Sequence, residues 1–138
     1  MSEKIFEILD HPSDLLVKIY ARSADELIRN CVFTFGRLVL GEIPPSGRTV
    51  VTFRVRGRSV EELVLDLFSK MITELEGSDL LPVEASRITG KIPGGVVVQA
   101  RAYKLKGNED YSNVIKAVTY HDLKYQSEMG YLTVLFDL

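Results

Sequence analysis

The sequence predicts an α+β fold: a single layered domain over residues 1–138, with two helices packed on a mixed, mostly antiparallel sheet. Three observations carry that expectation. Two segments repeat apolar residues at helical spacing behind an N-terminal cap. The other apolar segments alternate at period two. The C-terminal segments are joined by short turns, which favours antiparallel neighbours. Two amphipathic helices must each bury one face, and a sheet is the simplest partner. At 138 residues with 46% hydrophobic and 26% charged, the chain has the size and balance of one folded domain rather than a disordered chain.

The elements follow in order. Leu15, Val17, Ile19 and Ala21 alternate with Asp14, Leu16, Lys18 and Tyr20, a half-buried strand. The first helix starts at Ser23, an N-cap with Glu26 three residues on, the pattern of a capping box. Its stripe is Ala24, Leu27, Ile28, Cys31, Val32, Phe35, Leu38 and Val39, and Gly41 followed by Pro44 and Pro45 stops it. Val51, Phe53 and Val55 form the next strand. Ser59 with Glu62 opens the second helix, whose stripe runs from Val60 through Leu67, Phe68 and Met71 to Leu75, and Gly77 closes it. The approaches to the two helices look alike: Lys18–Leu27 parallels Arg54–Leu63, each a strand, Arg-Ser, an acid and Glu-Leu. Strand segments near 82–91, 94–105, 113–125 and 130–137 complete the chain, with turn chemistry at Pro93-Gly94-Gly95 and Glu128-Met129-Gly130. The polar stretch 104–113 reads as the most mobile loop.

Composition excludes several functions. Seventeen basic against nineteen acidic residues leave a net charge of −2, too little positive field for nonspecific nucleic-acid binding. Arg54, Arg56 and Arg58 alternate, and they read as a solvated strand face. Tight nucleic-acid binding is therefore not expected, and any work on RNA would go through a partner. With Cys31 alone, no intrachain disulfide and no thiolate zinc site can form. The N-terminal segment carries no apolar signal region, and no apolar run approaches the ~20 residues that span a bilayer. A cytoplasmic protein without a membrane partner is expected. P-loop, GxGxxG, HExxH and GxSxG motifs are all missing.

Three short segments remain that could carry chemistry. In His11-Pro-Ser-Asp14, a histidine and an aspartate could face one ligand, although Ser and Asp beside Pro also make ordinary turns. Asn113–Asp122 places Lys116, Thr119, Tyr120, His121 and Asp122 in an otherwise apolar strand. Lys116 there either guards a sheet edge or serves a site. Strict alternation puts Lys116 and His121 on opposite faces, so a site using both needs a bulge or access at a strand end. Tyr131–Leu138 ends in Asp137 and then the α-carboxylate, a dense negative spot that is either a solvated tail or a seat for a hard cation.

Together His11-Pro-Ser-Asp14, Ile115-Lys-Ala-Val-Thr-Tyr-His121 and the ending Phe136-Asp-Leu138 resemble the archease family, across essentially the whole chain. The resemblance implies a small α+β cofactor of the RtcB-type GTP-dependent RNA ligase that joins tRNA halves. Such a cofactor promotes the ligase–guanylate intermediate and repeated turnover. It also implies a bound divalent cation, Ca²⁺ by the usual assignment, with Mg²⁺ or another divalent ion as the alternative. By motif, Asp14, Asp137 and Leu138 are the metal residues, Leu138 through backbone or terminal carboxylate oxygens. His11, Lys116 and His121 belong to the functional surface. The family form is nearer His-Thr-Ala-Asp where this chain has Pro12 and Ser13, and the loop before Ile115 lacks the family's His-rich stretch. Two other readings stay open: a chaperone-like modulator of a tRNA methyltransferase, and a small metal-dependent hydrolase with His121 as base and Lys116 as electrostatic stabiliser.

Overall fold

The computed structural model describes residues 4–9, 13–91 and 94–138. The elements run β1 (Phe6–Leu9), β2 (Leu15–Tyr20), α1 (Ala24–Leu40), β3 (Thr49–Gly57), α2 (Val60–Ser78), β4 (Leu80–Gly90), β5 (Gly94–Lys104), β6 (Ala117–Gln126) and β7 (Tyr131–Asp137). Two helices on antiparallel strands make the α+β architecture that the patterning implies. The strands divide into two sheets, ordered β1-β2-β7-β6 and β3-β5-β4, and every pairing is antiparallel, so the parallel pair that a mixed sheet would contain is not formed among these strands. The sheets are separate because β2 and β3, each feeding a helix, pair with strands from the C-terminal half rather than with each other. No helix among the described residues is long and apolar enough to cross a membrane.

Both capping boxes form, with the same geometry. The Ser23 hydroxyl accepts from the Glu26 N–H at 3.1 Å, and the Glu26 carboxylate accepts from the Arg22 N–H at 3.2 Å. At the second helix, Ser59 accepts from the Glu62 N–H at 3.2 Å and Glu62 from the Arg58 N–H at 2.9 Å. Each box satisfies donors that a helix start leaves unpaired. Gly41, at φ 76°, caps α1 and donates to the Arg37 carbonyl. Gly77 does not close α2. The helix runs on to Ser78, and Asp79 takes the left-handed cap position at φ 55°, because aspartate tolerates that conformation and its N–H reaches the Leu75 carbonyl.

The core joins both helices to both sheets. Leu15, Val17 and Ile19 of β2 and Leu132, Val134 and Phe136 of β7 point inward together, as cross-strand register requires. Phe35 of α1, Phe68 of α2 and Phe136 of β7 meet in sequence: ring centroids lie 6.3 Å apart for the first pair and 4.9 Å, edge to face, for the second. All three rings are fully buried.

α2 also closes an edge of each sheet. β3 is an edge strand, and Asp66 accepts from the Arg56 main-chain N–H at 2.9 Å while Lys70 donates to the Arg54 carbonyl. β6 is the edge of the other sheet, and Glu61 accepts from the Tyr125 N–H at 3.0 Å. Gly57 makes this approach possible: a Cβ there would lie 2.4 Å from the Leu63 nitrogen in the first turn of α2. The Glu128–Gly130 turn joins β6 to β7, with Gly130 at φ 77° donating to the Gln126 carbonyl. Of the other expected turn, Pro93 lies outside the described residues.

Phe68→Ala is expected to cost about 3–5 kcal/mol, because it removes the ring on which the other two pack. Urea unfolding checks this. A loss below about 1 kcal/mol would show that the three rings do not join the layers.

Candidate functional site

Sheet register decides which of the candidate residues meet. In the β2–β7 pairing Leu15 stands opposite Phe136, so Asp14, in the bend just ahead of β2, lies at the same end of the sheet as Asp137. On the other side of β7, Ala117 pairs with Asp137, and the Lys116 N–H donates to the Asp137 carbonyl at 2.9 Å. Asp14, Lys116, Asp137 and Leu138 therefore share one end of the four-stranded sheet, with β7 in the middle. The cause is local. Phe136 is drawn into the core, so alternation turns Asp137 to the opposite face, where it is exposed. Asp14 is half-buried just ahead of β2. Lys116 is exposed, and Ile115 before it is buried. His11 lies outside the described residues.

The strand that carries Lys116 is not regular. Strand structure starts at Ala117 rather than near 113, and β6 keeps register only to Thr119, opposite Leu135. Pairing resumes at Lys124 opposite Thr133, so β6 advances five residues while β7 advances two. The bulge holds Tyr120, His121, Asp122 and Leu123. Its bonds are specific: the His121 N–H donates to Thr119 Oγ1 at 3.0 Å, and Thr133 Oγ1 donates to the Asp122 carbonyl at 2.7 Å. Asp122 adopts φ 60°, a conformation that aspartate tolerates better than most residues. The His121 ring is exposed, its Nε2 3.5 Å from an Asp122 carboxylate oxygen. The bulge removes the parity rule that separates Lys116 from His121, yet it sits opposite Val134, about 10 Å along β7 from Asp137 at ~3.3 Å per residue. Lys116 joins the aspartates; His121 stands further along the same strand. Thr119 and Asp122, candidates by sequence, and Thr133, which the sequence did not single out, fix the bulge; its position depends on the partner strand's register.

Carboxylate and Leu138 oxygens are the kind of donor that suits a hard cation such as Ca²⁺ or Mg²⁺ rather than zinc. Neither Asp14 nor Asp137 has an ion-pair partner among the described residues. Among those residues no group of three or more His, Cys, Asp or Glu side chains converges. Cys31 offers no nucleophile: it is fully buried, and desolvation pushes its thiol far above the usual range.

The loop after β5 is held in place. The Glu109 carboxylate accepts from the main-chain N–H groups of Lys106 at 2.8 Å and Gly107 at 3.0 Å, and from the Tyr103 hydroxyl at 3.1 Å. Those main-chain bonds, Lys106 first, hold its carboxyl below the ordinary range. The loop's end is fixed to α1 by Asn113 Nδ2 on the Leu38 carbonyl at 2.8 Å and the Ser112 N–H on Val39 at 2.8 Å. It thereby sets where Ile115 and Lys116 enter the sheet. A cleft of about 820 Å³ lies at the far end of β2 and β7, beside Tyr20 and Gly130, away from the aspartates.

Comparison with known proteins places this geometry. The solution structure of Methanobacterium thermoautotrophicum protein 1598 superposes with a TM-score of 0.67 at 16% identity, over 97% of this chain and 99% of that one. The crystal structure of a Thermotoga maritima archease, described as a possible chaperone, gives 0.61 at 21% identity, over 100% and 98%. At these identities the likeness is one of fold. By sequence, the chain is 32% identical to the protein archease of Thermoplasma acidophilum, covering 96% of this chain and 93% of that protein. It is 29% identical to the Thermoplasma volcanium counterpart, covering 96% and 98%. The family model of the Archease protein family matches residues 6–138, and on that match the chain belongs to the archease family.

Proposed function

We propose that this protein is a metal-binding accessory factor that activates an RtcB-type GTP-dependent RNA ligase in tRNA splicing, promoting guanylylation of the ligase and multiple turnover. One observation supports the reading above the others: the segment around Asp14, more than a hundred residues away in sequence, meets those around Lys116 and Asp137 at one end of one sheet. Asp14, Asp137 and the Leu138 oxygens would hold the cation. Bound there, it offsets the repulsion between neighbouring carboxylates and so stiffens the sheet end. Lys116 and His121, with His11, would face the ligase. Lys116 brings a compact positive charge suited to a phosphate or carboxylate of the partner. The exposure of Lys116 and Asp137 suits contact with a partner protein. The test is guanylylation of the cognate ligase with and without this protein. Stimulation by the pair, and no turnover of substrate by this protein alone, is the expected result; an unstimulated ligase would remove the proposal.

Asp14→Ala and Asp137→Ala are each expected to weaken Ca²⁺ binding by about tenfold or more in a calorimetric titration, since affinity at such sites follows the count of charged oxygen ligands. Ca²⁺ at a concentration that saturates the wild type should raise its melting temperature more than that of either variant. Unchanged affinity in both variants would sink the metal assignment.

Lys116→Ala is expected to melt within a few degrees of the wild type, because its side chain is exposed and only its main-chain N–H enters the sheet. Ligase stimulation should fall sharply. A variant that self-associates but stimulates normally would assign Lys116 to edge protection instead.

A further inference from the structure

A second surface lies apart from the aspartates. Arg54 and Arg56 point outward from β3, alternating with the buried Phe53 and Val55. They line a cleft of about 480 Å³ together with Lys70 and Asp66 of α2 and Tyr120 of the β6 bulge. Tyr120 is 59% exposed, unusual for so large a ring. The acids in the cleft are already engaged. Asp66 holds Lys70 at 3.0 Å and the Arg56 N–H at 2.9 Å, and Glu62 accepts the Arg58 N–H at 2.9 Å. Neither the Arg54 nor the Arg56 guanidinium has an ion-pair or hydrogen-bond partner among the described residues.

The chemistry is specific. Two free guanidinium groups on alternate residues of one strand are spaced at about 7 Å, two strand residues apart. That approximates the step between successive phosphates of an extended single strand. An exposed aromatic ring beside them offers a stacking face to an unpaired base. We propose that the Arg54–Arg56–Tyr120 cleft binds a short single-stranded nucleic-acid segment, with neighbouring phosphates on the two guanidinium groups and a base on the tyrosine ring. The contact is small and the chain carries a net charge of −2, so affinity is weak, with a dissociation constant on the order of 10⁻⁴ M at physiological salt. The site neither requires nor uses the aspartates, and it stands or falls independently of the ligase reading.

The isolated protein is titrated into a short fluorescein-labelled oligouridylate across a range of salt. The expected dependence of log K on log salt has a slope of about −1.4, the value for two phosphates on a single strand. Arg54→Gln and Arg56→Gln should each bring the slope to about −0.7, and the double variant should abolish binding. Main-chain bonds of both residues survive these changes, so the edge of β3 stays closed; circular dichroism and melting confirm the fold. Tyr120→Ala should bind roughly five- to tenfold more weakly, and Tyr120→Phe should bind as the wild type. Binding unaffected by the double arginine variant overturns the proposal. So does uridine monophosphate binding as tightly as the oligomer, which indicates a free-nucleotide site, or polyglutamate competing equally well, which indicates a surface for an acidic protein.

Discussion

The placement of α2 between two sheet edges is the constraint on which the rest of this structure depends. The separate sheets leave β3 and β6 with unpaired main-chain groups facing the same helix. Glu61 closes one edge, Asp66 and Lys70 the other, and Phe68 beneath them packs on Phe35 and Phe136. Each bond is partly exposed and individually modest, at about 0.5–1.5 kcal/mol. Their combined effect is geometric. An edge strand closed by side chains cannot recruit a strand from another chain, and Gly57 lets the helix come close enough to do this.

The same packing positions both the sheet end around Asp137 and the cleft beside Arg54 and Arg56. Phe136 is locked against Phe68, so the next residue, Asp137, is displayed at the sheet end beside Asp14 and the Lys116 main chain. β6 lies against α2 on one side and β7 on the other, and its bulge carries Tyr120 towards the arginines of β3. The aspartate end and the arginine cleft are thus held in fixed relation by one strand, β6, although they belong to different sheets.

Family membership and architecture agree with this picture at the level of fold. The likeness to archeases covers nearly the whole chain, so the elements that build the sheet end are those of the family match. The ligase and the cation are what the resemblance to the family implies, whereas the arginine cleft rests on the residues that line it.

Local sequence by itself determined the helices and most of the strands. The Ser–Glu boxes at Ser23 and Ser59 are i,i+3 contacts, complete within one turn of chain, and both form. Alternation along β2, β3 and β7 sorted inward from outward residues, because burial on one face is a period-two property. Gly77 misled because a glycine stops a helix only where the chain needs a left-handed residue, and here Asp79 occupies that position. The His-Pro-Ser-Asp, Lys-containing and Phe-Asp-Leu motifs were legible as candidates, but their meeting was not: that follows from β2 and β6 both pairing with β7, a long-range choice. Tertiary structure alone decided the division into two sheets, the bulge at Tyr120–Leu123 and the approach of Tyr120 to Arg54 and Arg56. Those features depend on which strand pairs with which and on where α2 comes to rest. Both are settled by the total burial of the core, and no local pattern of residues encodes that sum.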